Sequence, residues 1–153
     1  MTNGFSLGFT PNVSLVTLNN IDSGVDSLLK IFEIVSNENI CIDMISQTAP
    51  LNNTVNLSFT VDDNDTAKII SVIYKFKEVF SSLTTQILSN NTKILISSER
   101  MKTESGIATK LFSILSENKI PVSLITTSET EISLLITDEF APLAKSVLTK
   151  SLT

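Results

Sequence analysis

Apolar residues along this chain follow two periods that take turns in a fixed order. Alternation at every second position marks residues 13–18, 40–46 and 55–61, and then residues 93–98, 121–127 and 132–137, the pattern of strands with one buried face. Between the first and second run of each set the period lengthens. Leu28, Phe32 and Val35 recur at i, i+4 and i+7, as do Ala108, Phe112 and Leu115, which predicts a helix with one buried face. Two more amphipathic helices are predicted over about residues 65–81 and 140–151, and "TTQILS" at 84–89 reads as a further strand.

The order repeats because the sequence does. A shift of 80 positions aligns Phe32 with Phe112, Ile34 with Ile114, Ser36 with Ser116, Ile40 with Ile120 and Ile45 with Ile125, without a gap. The hairpin loop "APLNNT" gives the first copy five extra residues by this alignment. The first copy closes with 84–89, whereas the second has no strand after its last helix. At the same shift "GFSLGF", residues 4–9, occupies the place of that strand. The amino-terminal strand is therefore expected to complete the carboxy-terminal copy. The expected fold is α+β, two interlocked βαββαβ units, one over 13–90 and the other built from 4–9 plus 91–153.

Composition narrows the chemistry. Eleven Lys and Arg against sixteen Asp and Glu give a net charge of −5 and a pI near 4.6, so a polyanion meets repulsion instead of counterion release. No nucleic acid and no membrane partner is expected. The first basic residue is Lys30 and no apolar run approaches membrane-spanning length, which predicts a soluble, cytoplasmic protein. Histidine is absent, which removes the usual general base and the commonest nitrogen ligand for metals. The four glycines form no phosphate-binding loop. No cofactor, metal or catalytic residue is expected. Cys41, the single cysteine, lies in the apolar run Ile40-Cys41-Ile42 and is expected to be buried. RNA-recognition modules share the βαββαβ order, but they need exposed aromatics and a basic surface; here Tyr74 is the one tyrosine and tryptophan is absent.

Two stretches carry a family resemblance. The second copy, "ERMKTESGIATKLFSILSENKIPVSLITTSETEISLLITDE", has a Met-containing loop, a Gly opening the helix and L-I-T-T-S-E ahead of an I-S strand. The first copy, "KIFEIVSNENICIDMISQ" with "VNLSFTVDD", has an I-D-M-I-x-Q strand and an S-F-T-V return. Together they resemble the tandem ACT domains, ferredoxin-like units, of the aspartokinase carboxy-terminal regulatory region. The resemblance implies a regulatory amino-acid-binding module for allosteric feedback by lysine or threonine. It also implies a homodimer, an aspartokinase catalytic domain as partner, and no catalysis in this chain, which lacks a K-F-G-G-T type motif. An excised regulatory region and a separate regulatory subunit both fit. The alternative function is a free-standing ACT-domain sensor acting on another enzyme or regulator.

An amino-acid sensor must hold a carboxylate and an ammonium a few ångströms apart. Helix N-terminal amides suit the first, and a side-chain carboxylate or exposed carbonyls suit the second. Each copy runs a polar loop straight into a helix beside the next strand. In the first copy the candidates are Ser23, Gly24 and Asp26 in the loop, with Ile42, Asp43 and Gln47 on the strand. Asp43 interrupts an apolar run and matches the Asp of the family's ligand-contacting strand; Gln47 projects from the same face. Asp43 also reads as a solvent-facing strand residue, and Ser23 with Asp26 as a helix-capping pair. The alignment sets Asp26, not Gly24, opposite Gly106. In the second copy Gly106 and Ile107 fit the family's helix start, and Ser123 replaces its acidic strand residue. That copy is expected to contribute backbone at Pro121, Val122 and Ser123 to a shared site. Thr126, Thr127, Ser128 and Glu129 read as turn residues.

Overall fold

The structure, a computed structural model, describes residues 4–153. Six strands and four helices succeed one another: β1 Ser6–Asp22, α1 Val25–Asn37, β2 Ile45–Gln47, β3 Thr54–Asp62, α2 Thr66–Val79, β4 Thr84–Ser97, α3 Ile107–Glu117, β5 Leu124–Thr127, β6 Glu131–Thr137 and α4 Ala141–Leu152. Single 3-10 turns lead into α2 and α4 and precede the loop before α3. The fold is the expected α+β arrangement with antiparallel strands.

The chain divides into two compact units, Asn12–Ser89 and the described residues up to Pro11 together with Asn90–Thr153. In the first, the strand order is β2-β3-β1-β4. Its β1 pairs with β3 from Val13↔Asp62 to Leu18↔Leu57, and after a bulge from Ile21↔Val55. Val16, Leu18, Leu57 and Phe59 point to one face, where Ile31 and Val35 of α1 and Ile69, Val72 and Phe76 of α2 cover them. The i, i+3, i+4, i+7 spacing of the helices and the alternation of the strands meet in that core.

In the second unit the order is β1-β4-β6-β5, and β4 pairs with β6 from Asn91↔Thr137 to Ser97↔Glu131. Ile94, Ile96, Leu134 and Ile136 lie beneath Leu111 and Leu115 of α3 and Ala144 and Leu148 of α4. Phe5 is buried in the same cluster, with Leu7 and Phe9 against its margin. The amino-terminal strand thus supplies part of the core of the unit formed by the end of the chain.

Three expectations need correction. The short runs 4–9 and 13–18 are one strand, and so are 84–89 and 93–98, because the residue at each expected turn, Asn12 and Asn90, takes φ near 60° without ending the strand. Asn enters this left-handed region more readily than other non-glycine residues. The shift of 80 holds for α1 with α3 and for Ile45 with Ile125, and beyond the longer hairpin it falls to 75, which sets Thr66 of α2 opposite Ala141 of α4; β1 and β4 correspond two residues closer than 80. Ser14 pairs with Val61 and Thr92 with Ile136, each two residues before an aspartate, Asp63 or Asp138. "GFSLGF" therefore corresponds to 82–87, which matches buried Phe5 with buried Leu83. The extra length in the second unit is taken up before α3, where Glu99–Lys102 forms a 3-10 turn.

The third correction concerns residues 40–44. Regular pairing begins only at Ile45. Asp43 N–H bonds Thr60 O at 3.1 Å and Thr60 N–H bonds Met44 O at 3.0 Å, while Met44 N–H turns to the buried Thr60 Oγ1 at 2.9 Å. Ile40 and Met44 are buried and Ile42 partly so. Cys41, one step out of phase with them, is exposed.

Candidate functional site

The start of α3 is built to leave helix amides uncovered. Gly106 is the N-cap with φ 84°, ψ 2°, and no side chain caps the helix. The first closing bond runs from Lys110 N–H to Gly106 O at 2.9 Å, so the amides of Ile107, Ala108 and Thr109 precede it. A pocket of about 270 Å³ lies against this terminus. It is lined by Gly106, Ile107 and Ala108 at the helix start, by Thr127, Ser128 and Glu129 at the end of β5 and in the turn after it, and by Met101, Glu104 and Ile132.

Its two carboxylates are not equivalent. Arg100 donates to Glu104 through two N–H groups, Nε to Oε1 and an Nη to Oε2, both at 2.7 Å. This bond holds the exposed Glu104 carboxyl below its usual range and the guanidinium above its own. Glu104 is thus already paired with a cation. Glu129 sits in the β5–β6 turn, which closes through Ser128 N–H to Glu131 O at 2.9 Å. Of the polar cluster read from the sequence as a turn, Thr126 and Thr127 are the last paired residues of β5, because the ladder with Ser133 and Ile132 continues through them, and only Ser128 and Glu129 form the turn; Thr127, Ser128 and Glu129 line the pocket. The lining thus brings the helix start, the Glu129 carboxylate and apolar surface from Ile107 and Ile132 to one cavity.

The residues expected in the second copy do not all gather here. Gly106 and Ile107 do. Pro121, Val122 and Ser123 precede β5, whereas the pocket lies beyond its last residue, Thr127. Four strand steps of about 3.3 Å separate the two ends. Ser123 N–H is occupied by Leu135 O at 2.8 Å. The sequence favours a turn role for Thr127, Ser128 and Glu129 and leaves them only a supporting place at a site, whereas all three line this pocket. The available signal was the βαβ crossover itself, which returns the strand's far end to the helix start.

In the first unit Gly24 is the N-cap of α1, with φ −67° and ψ 145° and no side-chain capping bond. The glycine is therefore not displaced from the helix start, and the Ser23–Asp26 capping pair does not form. Ser23 N–H instead bonds Asn53 O at 3.0 Å, which ties the loop to the long hairpin, and Asp26 lies exposed in the first helical turn. Asp43 and Gln47 are both exposed on the outward-facing phase of their stretch, and Ile42 packs against the core. They are spread along the sheet. Asp43 is level with Thr60, which pairs with Leu15, and Gln47 pairs with Leu57, opposite Leu18; Ser23 follows the Asp22↔Thr54 pair. A pocket of about 260 Å³ in this unit is lined by Asn20, Thr48, Leu51, Thr54 and Asn56 among others, none of them an expected site residue.

Among the described residues no group of three or more His, Cys, Asp or Glu is arranged to hold a metal. No helix there is long and apolar enough to cross a membrane.

Residues 94–152 match the family model of the ACT domain. Aspartokinase 2 of Bacillus subtilis is 26% identical over 132 residues, covering 86% of this chain and 32% of that protein. The chain thus spans about a third of the length of the curated relatives it matches. The ligand-free regulatory subunit of aspartate kinase from Thermus thermophilus superposes with a TM-score of 0.82 at 19% identity, covering 96% of this chain and 97% of that one. Aspartokinase III of E. coli, solved with lysine and aspartate, superposes with a TM-score of 0.75 at 17% identity, over 97% of this chain and 33% of that one. The match to the ACT-domain model lies in the carboxy-terminal unit, and over nearly its whole length the chain has the fold of a solved regulatory subunit of aspartate kinase.

Proposed function

We propose that this chain is the regulatory part of an aspartokinase and binds an amino-acid effector, lysine or threonine, that controls the activity of a catalytic domain. The observation that carries the reading is the pocket at the start of α3, where the uncapped helix start at Ile107 and Ala108 shares one lining with Glu129 inside the unit that matches the ACT-domain model. The effector's carboxylate sits at the amides, with the partial positive charge of the helix terminus behind it. Its ammonium sits at Glu129. Thr127 and Ser128 offer hydroxyls to a threonine side chain, and Ile107 and Ile132 line a path for the lysine stem. Asp43 and Gln47, exposed on the first unit, are the second place for effector contact.

Binding changes activity only if one arrangement of the regulated protein holds the effector more tightly than another. That arrangement is proposed to involve a homodimer and an aspartokinase catalytic domain in the cytoplasm. The similarity to an isolated regulatory subunit and to a lysine-bound aspartokinase supports this reading. Titration calorimetry of the chain with each of the twenty amino acids tests it. Saturable binding of lysine or threonine that Glu129→Gln weakens at least tenfold is expected. Absence of binding by both rejects the effector assignment.

A further inference from the structure

The two units differ at one matched place. In the first, Ser14 Oγ donates to Asp63 Oδ1 at 2.5 Å and lies 3.1 Å from Thr66 Oγ1 and 2.9 Å from Ser89 Oγ. Thr66 Oγ1 in turn donates to the Asp63 carbonyl at 2.7 Å. Three hydroxyls and a carboxylate form one hydrogen-bonded cluster where β1, β4 and the start of α2 meet. By strand register the counterparts in the second unit are Thr92, Asp138, Ala141 and Pro11. Thr92 Oγ1 still donates to Asp138 Oδ1 at 2.5 Å. Ala141 and Pro11, however, bring no hydroxyl, and a pocket of about 520 Å³ stands at this place, a volume within the usual range for small-molecule sites.

The second unit also differs in what surrounds the pocket. Phe9, Pro11 and Pro142 make apolar walls, and Lys145 lies with its ammonium 5.8 Å from the centroid of the Phe9 ring. The counterparts of Phe9 and Lys145 in the first unit are Ile87 and Ile70, so the cation and the aromatic ring belong to this unit alone. Pro142, in the first turn of α4, has no N–H to give. That removes one amide from the first turn, and Lys145 brings a full positive charge to the same lining. Asp138 brings one carboxylate to the same lining. One cation, one anion and apolar walls between them fit a molecule with the same three parts. A polyanion or a polycation would face one charge of its own sign.

We propose that this pocket is a separate ligand site that takes a zwitterionic α-amino acid with an apolar side chain. The carboxylate lies at Lys145 Nζ, the ammonium at Asp138, and the side chain against Phe9 and Pro11. The site shares no residue with the pocket at α3 and does not depend on the lysine or threonine assignment.

Calorimetry of the full chain with leucine, methionine and phenylalanine as probes, and glycine as the probe without a side chain, tests the proposal. At least one apolar amino acid is expected to bind saturably and glycine not at all. Lys145→Ala, at an exposed position of α4 where loss of the side chain leaves the fold intact, is expected to weaken that binding at least tenfold. The double substitution Pro11→Ser with Ala141→Thr, which installs the hydroxyls of the first unit, is expected to do the same while leaving the thermal melt cooperative. Glu129→Gln is expected to leave it unchanged. No saturable binding by any of the three, binding unaffected by Lys145→Ala, or binding lost in Glu129→Gln instead would each overturn the proposal.

Discussion

Gly24 and Gly106 hold the same position in the two units, each the N-cap of the helix after the first strand, yet with backbones of opposite sign: φ is −67° at Gly24 and 84° at Gly106. A Cβ at either site would meet no heavy atom within 4 Å. Space is equal at both. The difference is conformational strain alone, and it makes the pair an internal control for the geometry of the α3 terminus.

Gly106→Ala is expected to destabilise the protein by about 1–2 kcal/mol, the cost of a left-handed backbone for an L-residue. Gly24→Ala is expected to fall between neutral and a gain of about 1 kcal/mol, since its dihedrals suit alanine and the unfolded chain loses freedom. Urea denaturation of the two variants checks this. Equal effects would mean that the two helix starts do not differ in solution.

Phe5→Ala removes a buried ring from the second unit's core, where Phe5 is only 8% exposed. The expected cost is about 3–5 kcal/mol. Amide exchange gives the sharper reading: β6 should lose protection, and β3, in the other unit, should keep it. Uniform loss in both would show that the units do not open separately.

The Arg100–Glu104 pair carries a pH signature. Because the guanidinium lowers the Glu104 pKa, the pairing is complete above the ordinary carboxylate range and is lost as pH falls through the lowered value. In Arg100→Ala the Glu104 titration, followed by NMR of its side-chain carboxyl carbon, is expected to move back up toward that of a free glutamate. An unchanged titration would show that the clamp does not form in solution. Both groups are exposed, so the melting temperature is expected to respond little to either change.

Asp43→Ala and Glu129→Gln separate the two units as places for the effector. Each residue is exposed, and neither substitution is expected to alter the stability of the ligand-free protein by more than about 0.5 kcal/mol. At 100 times Kd, lysine or threonine is expected to add about 2.7 kcal/mol to the wild type. Loss of that gain in Glu129→Gln alone locates the effector at α3. Loss in Asp43→Ala alone moves it to the first unit and removes the basis for the α3 assignment.

The fold was legible because its signals are periodic. Ile31 with Leu111 and Phe59 with Leu134 fall in register once the five extra hairpin residues are allowed for, and both core faces follow from alternation. Local chemistry was less so. Nothing in the letters distinguishes an asparagine that ends a strand from Asn12, which continues one with φ 60°. The capping pair at Ser23 failed because Gly24 took the N-cap and the hairpin took the Ser23 amide, a tertiary bond to Asn53 that no local rule contains. The α3 pocket was half visible: Gly106 and Ile107 came from the motif, whereas Glu129 joined them only through the return of β5.

The division of the second unit between Phe5 and the residues after Asn90 sets a timetable for synthesis. Some 80 residues separate the last of its amino-terminal segment from the first of its carboxy-terminal one, which at about 5–20 residues per second is roughly 4–16 s of translation. Through that interval the apolar stretch "GFSLGF" has emerged but its partner strand has not, and an unpaired strand of this kind is a template for pairing with another chain. Its positions beside Phe5, Leu7 and Phe9 offer no charge to discourage this. Slow stretches of translation between residues 12 and 90 would lengthen the exposure, and faster ones would shorten it, without changing a single contact of the finished protein.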